Sequence, residues 1–227
     1  MKKVLIILYI LGPILGFMRA TFLSDSSESR LQMAKGQNHV QFITYRPQGL
    51  LKAITVESAV IYKNPKSKFA TLITINDDGF IEKLDLSNTV DFDDFSVILN
   101  YQGTAATDAL SKIESAIKKY PFVGETTGLI GPNNNTFIAY LLRQLQTEVE
   151  LPSNAMGKDY LGDSVRWLYQ GKKNLFIGSL GGYVSVYGSD KKGGFSLLGL
   201  TIGYNWDENI LSLPGLGDIP LGSLKGQ

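Results

Sequence analysis

The sequence predicts an α+β fold, in which an antiparallel sheet packs against two main helices and a glycine-rich β-hairpin unit follows at the C-terminus. Three observations support this prediction. Short β-branched segments with alternating polarity fill the first half of the chain. Two later segments repeat apolar residues at helical spacing. After residue 175, glycines recur between aromatic and aliphatic residues, which is typical of strands joined by tight turns.

Successive strands are expected between residues 40 and 101. Asn64-Pro65 separates two β-branched segments, so these are predicted to form an antiparallel pair. Asp77-Asp78-Gly79 is a second turn signal and precedes another alternating segment. The predicted strands are Val40–Tyr45, Ala53–Tyr62, Lys68–Ile75, Phe80–Leu86 and Val97–Tyr101.

Two helices are predicted from apolar spacing and end signals. The first covers Gly103–Tyr120, where Ala109, Ile113 and Ala116 share one face and Pro121 ends the helix. The second begins near Asn135. It is indicated by apolar residues at i, i+4 and i+8, namely Phe137, Leu141 and Leu145.

The C-terminal unit is predicted as two strands and a coil. Gly182–Gly188 and Phe195–Tyr204 are the expected strands, and Lys191–Gly194 is the expected turn between them. Residues 213–222 contain two prolines and three glycines, and they are predicted to be coil.

The N-terminus predicts export or anchoring. Lys2 and Lys3 precede an apolar run, Val4–Met18, which has the length of a signal sequence and is short for a membrane span. Residues 1–20 are therefore interpreted as a signal peptide or an N-terminal membrane anchor, 21–37 as a linker, and 38–222 as a single domain. The expected location is the inner membrane, with the domain outside, or the periplasm. The alternative is a buried N-terminal helix of a cytosolic protein.

Composition excludes several chemistries. The net charge of +1 gives no electrostatic signature of nucleic-acid binding, and the absence of Cys removes disulfides, thiol nucleophiles and thiolate metal sites. The only histidine, His39, makes a multi-histidine metal site impossible, and its position beside the linker makes it a weak candidate base. Asp91, Asp93 and Asp94 lack the glycine and terminal glutamate of a calcium loop. No cofactor and no metal are predicted.

Candidate binding residues cluster at the start of the second helix. Asparagine is a strong helix N-cap, and a helix N-terminus attracts anions and hydrogen-bond acceptors. Lys158 and Asp159, which follow a glycine turn, are a candidate polar pair facing the same place. Capping bonds and a surface ion pair are the structural alternatives for these two groups. The predicted binding residues are Asn133, Asn134, Asn135, Thr136, Lys158 and Asp159.

Six short motifs, in order, carry a family resemblance. They are Tyr120-Pro121, Gly131–Phe137, Leu151-Pro152, Ala155–Asp159, Leu197–Gly203 and Leu213–Gly217. With these motifs residues 120–222 resemble the uncharacterised bacterial family called domain of unknown function 3750. The family name implies no activity.

A weaker analogy links that layout to permuted papain-like folds of the NlpC/P60 type. In those proteins a histidine on a strand activates a nucleophile at a helix N-terminus. Here Thr71 lies in the segment where the histidine strand would be, and Asn134 stands at the nucleophile position. No catalytic residue is therefore assigned, and Ser164, Ser179 and Ser185 lack the Gly-x-Ser-x-Gly context.

The function expected from these observations is a non-catalytic bacterial envelope binding or scaffold protein. One alternative is a papain-like-fold hydrolase or acyl transferase acting on amide or lipid-linked substrates. The other is an accessory subunit of a membrane complex. The expected partner is a membrane or an envelope protein complex, with no nucleic acid.

Overall fold

The computed structural model describes residues 37–45, 55–67, 69–86, 95–171, 175–213 and 217–221. All of them belong to one compact unit that covers residues 32–227. The predicted signal or anchor and the Asp91, Asp93 and Asp94 cluster lie outside the described residues. Within the described ranges, no helix has the length and apolar character that a membrane crossing requires.

The first sheet is antiparallel throughout and has the strand order β4-β3-β2-β1-β5. Strand β1, which lies between β2 and β5, is buried on both faces, with Val40 and Phe42 toward the helices and Ile43 on the other side. The prediction of five strands in this half is confirmed, with bounds shifted by a few residues. The strands are β1 His39–Tyr45, β2 Glu57–Lys63, β3 Ala70–Ile75, β4 Ile81–Leu86 and β5 Ser96–Gln102.

Two helices pack on this sheet, as predicted. They are α1, Gly103–Ile117, and α2, Asn134–Gln144. Helix α1 ends three residues before the predicted Tyr120, which continues as a turn and packs edge-on against Phe137 at 5.1 Å between ring centroids. The core between helices and sheet includes Val40, Phe42, Val60, Ile73, Ala106, Ile113, Ala116, Phe137, Ile138 and Leu141.

The C-terminal unit is larger than the predicted hairpin. It is a seven-stranded antiparallel meander in which each strand pairs with its sequence neighbour. The strands are β6 Val165–Gln170, β7 Leu175–Leu180, β8 Val184–Gly188, β9 Lys192–Leu197, β10 Leu200–Asn205, β11 Ile210–Leu213 and β12 Gly217–Pro220.

Two sequence predictions in this unit are wrong. The turn is not at Lys191–Gly194, because Gly193 and Gly194 lie inside β9. A side chain at Gly194 would approach the Tyr187 hydroxyl to 2.7 Å, so glycine is required there by packing. The chain reverses at Ser189–Lys191, just before these glycines, and again at Leu198 and Gly199, both at positive φ, inside the predicted strand Phe195–Tyr204. The predicted C-terminal coil contains part of β11 and all of β12, and β6 and β7 were not predicted.

The second sheet has the reverse of the usual polarity. An antiparallel sheet with one solvated face normally places apolar residues inside and polar residues outside. Here the facing row Ser179, Ser185, Ser196 and Thr201 is buried, on what we call the inner face. The opposite, solvent-exposed side is called the outer face, and it is formed by Val165, Trp167, Tyr169, Phe176, Leu180, Val184, Val186, Phe195, Leu197, Ile202 and Tyr204.

Candidate functional site

Asn133 caps helix α2. Its Oδ1 accepts a hydrogen bond from the Thr136 backbone N–H at 3.0 Å, and the Thr136 hydroxyl oxygen accepts from the Asn133 N–H at 3.2 Å. This reciprocal pair is a capping box. The Asn133 amide also donates to the carbonyl oxygens of Gly128, Leu129 and Met156 at 3.0–3.1 Å. The cap therefore also fixes the segments on either side of the helix start.

Asn134 joins the helix to strand β3. Its Oδ1 accepts from the Thr74 hydroxyl at 2.7 Å and from the Ile75 backbone N–H at 2.8 Å. Its Nδ2 has no hydrogen-bond partner among the described residues and borders an open groove. Asn134 is thus the one asparagine of the three with a donor free for a ligand.

Asn135 is the buried member of the series. Its Oδ1 accepts from the Ser58 hydroxyl at 2.7 Å, and its Nδ2 donates to the carbonyl oxygens of Val56 at 2.8 Å and Met156 at 2.9 Å. The side chain is nearly inaccessible. Thr136 is also fully buried, and its hydroxyl donates to the Gly157 carbonyl at 2.7 Å. These two side chains are committed to internal bonds.

A groove of about 300 Å³ lies beside the helix start. Asn133, Asn134 and Asn135 line one part of it. The acidic residues Glu57 and Asp77 line another part. The negative charge of these groups opposes the attraction that a helix N-terminus has for anions. The groove therefore suits a neutral hydrogen-bonding ligand better than a phosphate.

Lys158 and Asp159 do not face the helix start. Their side chains lie at the inner face of the second sheet, where Lys158 Nζ is 3.1 Å from Asp159 Oδ2 and 5.2 Å from the Tyr187 ring centroid. The Ser196 hydroxyl donates to the same Asp159 oxygen at 2.9 Å and is 2.7 Å from the Thr201 hydroxyl. Both charged side chains are about nine-tenths buried, so the pair is an internal ion pair and not a surface one.

Burial around this pair perturbs its neighbours. Burial raises the pKa of the Tyr187 phenol, and the Asp159 carboxylate raises it further. Burial lowers the pKa of the Arg143 guanidinium, against an opposing effect of Asp159. A crevice of about 460 Å³ opens between the two sheets at Lys158, Tyr187, Thr201 and Ser153. Lys192, which also lines it, is paired with Glu150 at 2.8 Å.

The predicted site thus divides in two. The structure brings Asn133, Asn134, Asn135 and Thr136 together at the start of α2, and it places Lys158 and Asp159 at the second sheet. Only the backbone of the intervening loop connects them, through Met156 and Gly157. The sequence interpretation placed all six together. Gly157 does lie against the helix start, but the next two side chains turn away from it.

Strand β3 does reach the helix start, but through Thr74 and not Thr71. Thr71 and Thr74 are an odd number of residues apart, so their side chains lie on opposite faces of the strand. Thr71 instead bonds to Asp85 at 3.3 Å. Thr74 and Ser58 were missed by the sequence interpretation, because their role depends on strand register and not on a local motif.

The remaining candidates lie elsewhere. His39 is fully buried at the far end of β1, and neither ring nitrogen has a hydrogen-bond partner within the described ranges. The distance along β1 from His39 to Thr44, which pairs with Ser58, is about 17 Å at ~3.4 Å per residue. Because Ser58 bonds to Asn135, His39 lies far from the start of α2. Ser179 and Ser185 lie 3.4 Å apart in the buried row, and Ser164 is exposed. The described residues contain no group of three His, Asp or Glu side chains that could hold a metal.

The outer face is a feature that the sequence interpretation did not anticipate. From the sequence, the C-terminal aromatics are predicted to fill a core or cover a sheet and not to bind sugars; they are Tyr183, Tyr187, Phe195, Tyr204 and Trp206. Alternation was present in Val184-Ser-Val186 and, apart from Leu168, in Val165–Tyr169, and it could have revealed the strands. Periodicity does not show which face of a strand is buried. Only the structure could show that the apolar face of this sheet is the exposed one.

The fold and the site define an α+β protein with two antiparallel sheets. Its asparagine-capped helix α2 is bonded at its start to strands β2 and β3 and to the loop at Met156. Residues 76–160 match the model of a family described as Protein of unknown function (DUF3750). The match confirms the resemblance and includes four of the six motifs. It extends upstream of Tyr120 and does not include the motifs at 197–203 and 213–217. No curated protein and no solved structure matched the chain.

Proposed function

We propose that this chain is a non-catalytic binding or scaffold protein of the bacterial cell envelope, and that it holds a partner on the outer face of its second sheet. The observation that carries the proposal is the exposure of that face. Trp167 and Tyr169 are 65% and 67% exposed, and no charged side chain interrupts the rows that they begin. Aromatic enrichment with few charges is typical of the core of an interface.

The size of the outer face supports the same conclusion. Aromatic side chains can each bury about 150–250 Å², and five of the outer-face residues are aromatic. When these five are scaled by their exposed fractions and summed with the six aliphatic outer-face residues, the face presents on the order of 1,000 Å², whereas the largest apolar patch of a typical monomer is about 300–600 Å². A patch of this size marks a binding surface.

The bonding at the start of α2 supports a non-catalytic role. Asn134 occupies the position that a nucleophile holds in the papain-like layout, and an amide is not a useful nucleophile. Its oxygen is moreover engaged by β3 through two hydrogen bonds. We expect no labelling by serine- or cysteine-directed probes. Capture of an activated acyl probe at residues 131–159 would favour the hydrolase or acyl transferase alternative.

The envelope location rests on the N-terminal sequence. Val4–Met18, behind Lys2 and Lys3, has the composition of a signal or anchor. We expect the protein to fractionate with membranes or periplasm, and we expect external protease to reach the domain in spheroplasts. Recovery of the full-length chain in the soluble cytosolic fraction would contradict this location.

Photo-crosslinking in cells tests the binding function directly. A photoreactive amino acid replaces Phe195, which is 48% exposed at the middle of the outer face, and in a matched control it replaces Leu84, which is 46% exposed on β4. The proposal expects a discrete adduct at Phe195 and none at Leu84. A set of heavier adducts would identify the chain as an accessory subunit of a complex. Absence of any adduct at several outer-face positions would refute the proposal.

A further inference from the structure

We infer that the partner on the outer face is a second copy of this chain. The inference rests on the proposed binding function and names its occupant. Two copies related by a two-fold axis would pack their outer faces together, as the two sheets of a β-sandwich do. Each copy would contribute the same rows, which run from Val165, Trp167 and Tyr169 on β6 across to β10.

The available area suits a stable pair. About 1,000 Å² per copy gives about 2,000 Å² in total, above the roughly 1,600 Å² of a standard protein interface. The face also has relief for interdigitation. Trp167 stacks on Phe176 at 5.1 Å and stands over Gly178. Gly188, in a neighbouring row, has no heavy atom within 4 Å of where a Cβ would lie. A raised aromatic pair and an open hollow on one face are the two parts that a self-complementary interface needs.

The charges around the face favour a protein over a lipid surface. The described turns that border the sheet carry Asp163, Asp190, Lys191, Asp207 and Glu208, and the sequence places Lys172 and Lys173 between β6 and β7. Surfaces that bind anionic membranes carry clusters of lysine and arginine, whereas a polar rim is typical of a protein interface. The mixed charges therefore favour a protein partner.

Leu198 gives independent support. It is 49% exposed and adopts φ +53° in the β9–β10 turn. The left-handed region favours Gly, Asn or Asp, so backbone preference does not explain a leucine at this position. Burial within one copy does not explain it either, because half of the side chain is exposed. Contact with a second copy does explain it.

The test uses the full-length chain, which contains no Cys, so single-cysteine variants report only contacts between copies. Sedimentation of the wild type should give a mass of twice 24.9 kDa across the micromolar range. A short bismaleimide should link two Phe195→Cys chains and fail to link Leu84→Cys chains. Phe195→Glu should weaken pairing at least 100-fold, whereas Leu84→Glu should leave it unchanged. Circular dichroism confirms that both glutamate variants fold.

The other outcomes overturn the inference in distinguishable ways. A wild-type dimer that Phe195→Glu leaves intact places the interface elsewhere. A wild-type monomer that binds phosphatidylglycerol vesicles through the outer face replaces the second copy with lipid, and the binding function survives. A monomer with neither vesicle binding nor an adduct in cells refutes both the inference and the proposed function.

Discussion

Three consecutive asparagines have three different tasks. Asn133 caps α2, Asn134 ties the helix to β3, and Asn135 ties it to β2 and the loop at Met156. Successive residues at a helix start point about 100° apart, so adjacent identical side chains reach different neighbours. The sequence predicted an asparagine cap at this helix without fixing which asparagine it is, and the structure assigns it to Asn133. It could not show that the side chains of Asn134 and Asn135 bond to strands distant in sequence.

We predict that alanine substitutions here will rank by internal bonding. Asn135→Ala should lower the free energy of unfolding by about 3 kcal/mol, since it leaves buried partners unsatisfied. Asn133→Ala should cost about 2 kcal/mol, the upper end for a cap, and Asn134→Ala about 1 kcal/mol. Urea melts measure all three. Equal and negligible losses would contradict a structural role for these side chains.

The Lys158–Asp159 pair should show strong coupling. Lys158→Met alone strands a buried carboxylate and should cost about 3 kcal/mol, and Asp159→Leu alone should cost a similar amount. The double variant should cost clearly less than the sum.

The exposed pair Lys83 and Glu114, 3.8 Å apart, is the control for this cycle. Lys83→Met should change stability by less than about 1 kcal/mol. Additive losses at Lys158 and Asp159 would show that the two charges do not depend on each other.

At the scale of elements, local chemistry was sufficient for the first half and insufficient for the second. Both helices and the first five strands follow from periodicity and turn residues. The β9–β10 hairpin could not be predicted in this way, because Leu198 occupies a turn position where Asn or Gly is usual. The reversal lies at Ser189–Lys191, just before the glycines of Lys191–Gly194. Those glycines lie inside β9, beside the Trp206 ring and the Tyr187 hydroxyl.

We predict that Leu198→Asn will separate stability from association. Asparagine tolerates the left-handed region, so the variant should gain about 0.5–1 kcal/mol of folding stability. Loss of the apolar tip should weaken pairing at the outer face by about tenfold or more. Urea melts of the monomer and sedimentation provide the two readouts. A variant that is less stable but pairs normally would remove Leu198 from the argument for an interface.

At the scale of the whole molecule, two sheets of opposite polarity share one chain. The first buries apolar residues on both faces of β1, and the second buries a row of hydroxyls and exposes aromatics. The α+β class was predictable because it depends on the local pattern. The division of the predicted site and the direction in which the second sheet faces depend on how distant segments pack, which a single sequence does not specify.

Alkaline pH should destabilise the whole fold. Burial raises the pKa of Tyr45, Tyr120 and Tyr187 above the ordinary phenol value. Above pH ~10 the unfolded chain therefore releases these protons first, and the free energy of unfolding falls as pH rises further. Urea melts at increasing pH test this, with ultraviolet absorbance to follow tyrosinate. Tyr187→Phe should reduce the slope, and an unchanged slope would exclude Tyr187 as a contributor.

The division between a buried hydroxyl row and an exposed aromatic face makes the expression level important for this chain. A newly made copy forms its internal hydrogen bonds by itself, but its aromatic face stays exposed to water until it binds a second copy. At low abundance such copies remain dispersed. When synthesis outruns orderly pairing, the same face becomes a contact point for misassembly and inclusion bodies. Overexpression yield should therefore improve with Phe195→Glu, a change that adds nothing to the interior of the fold.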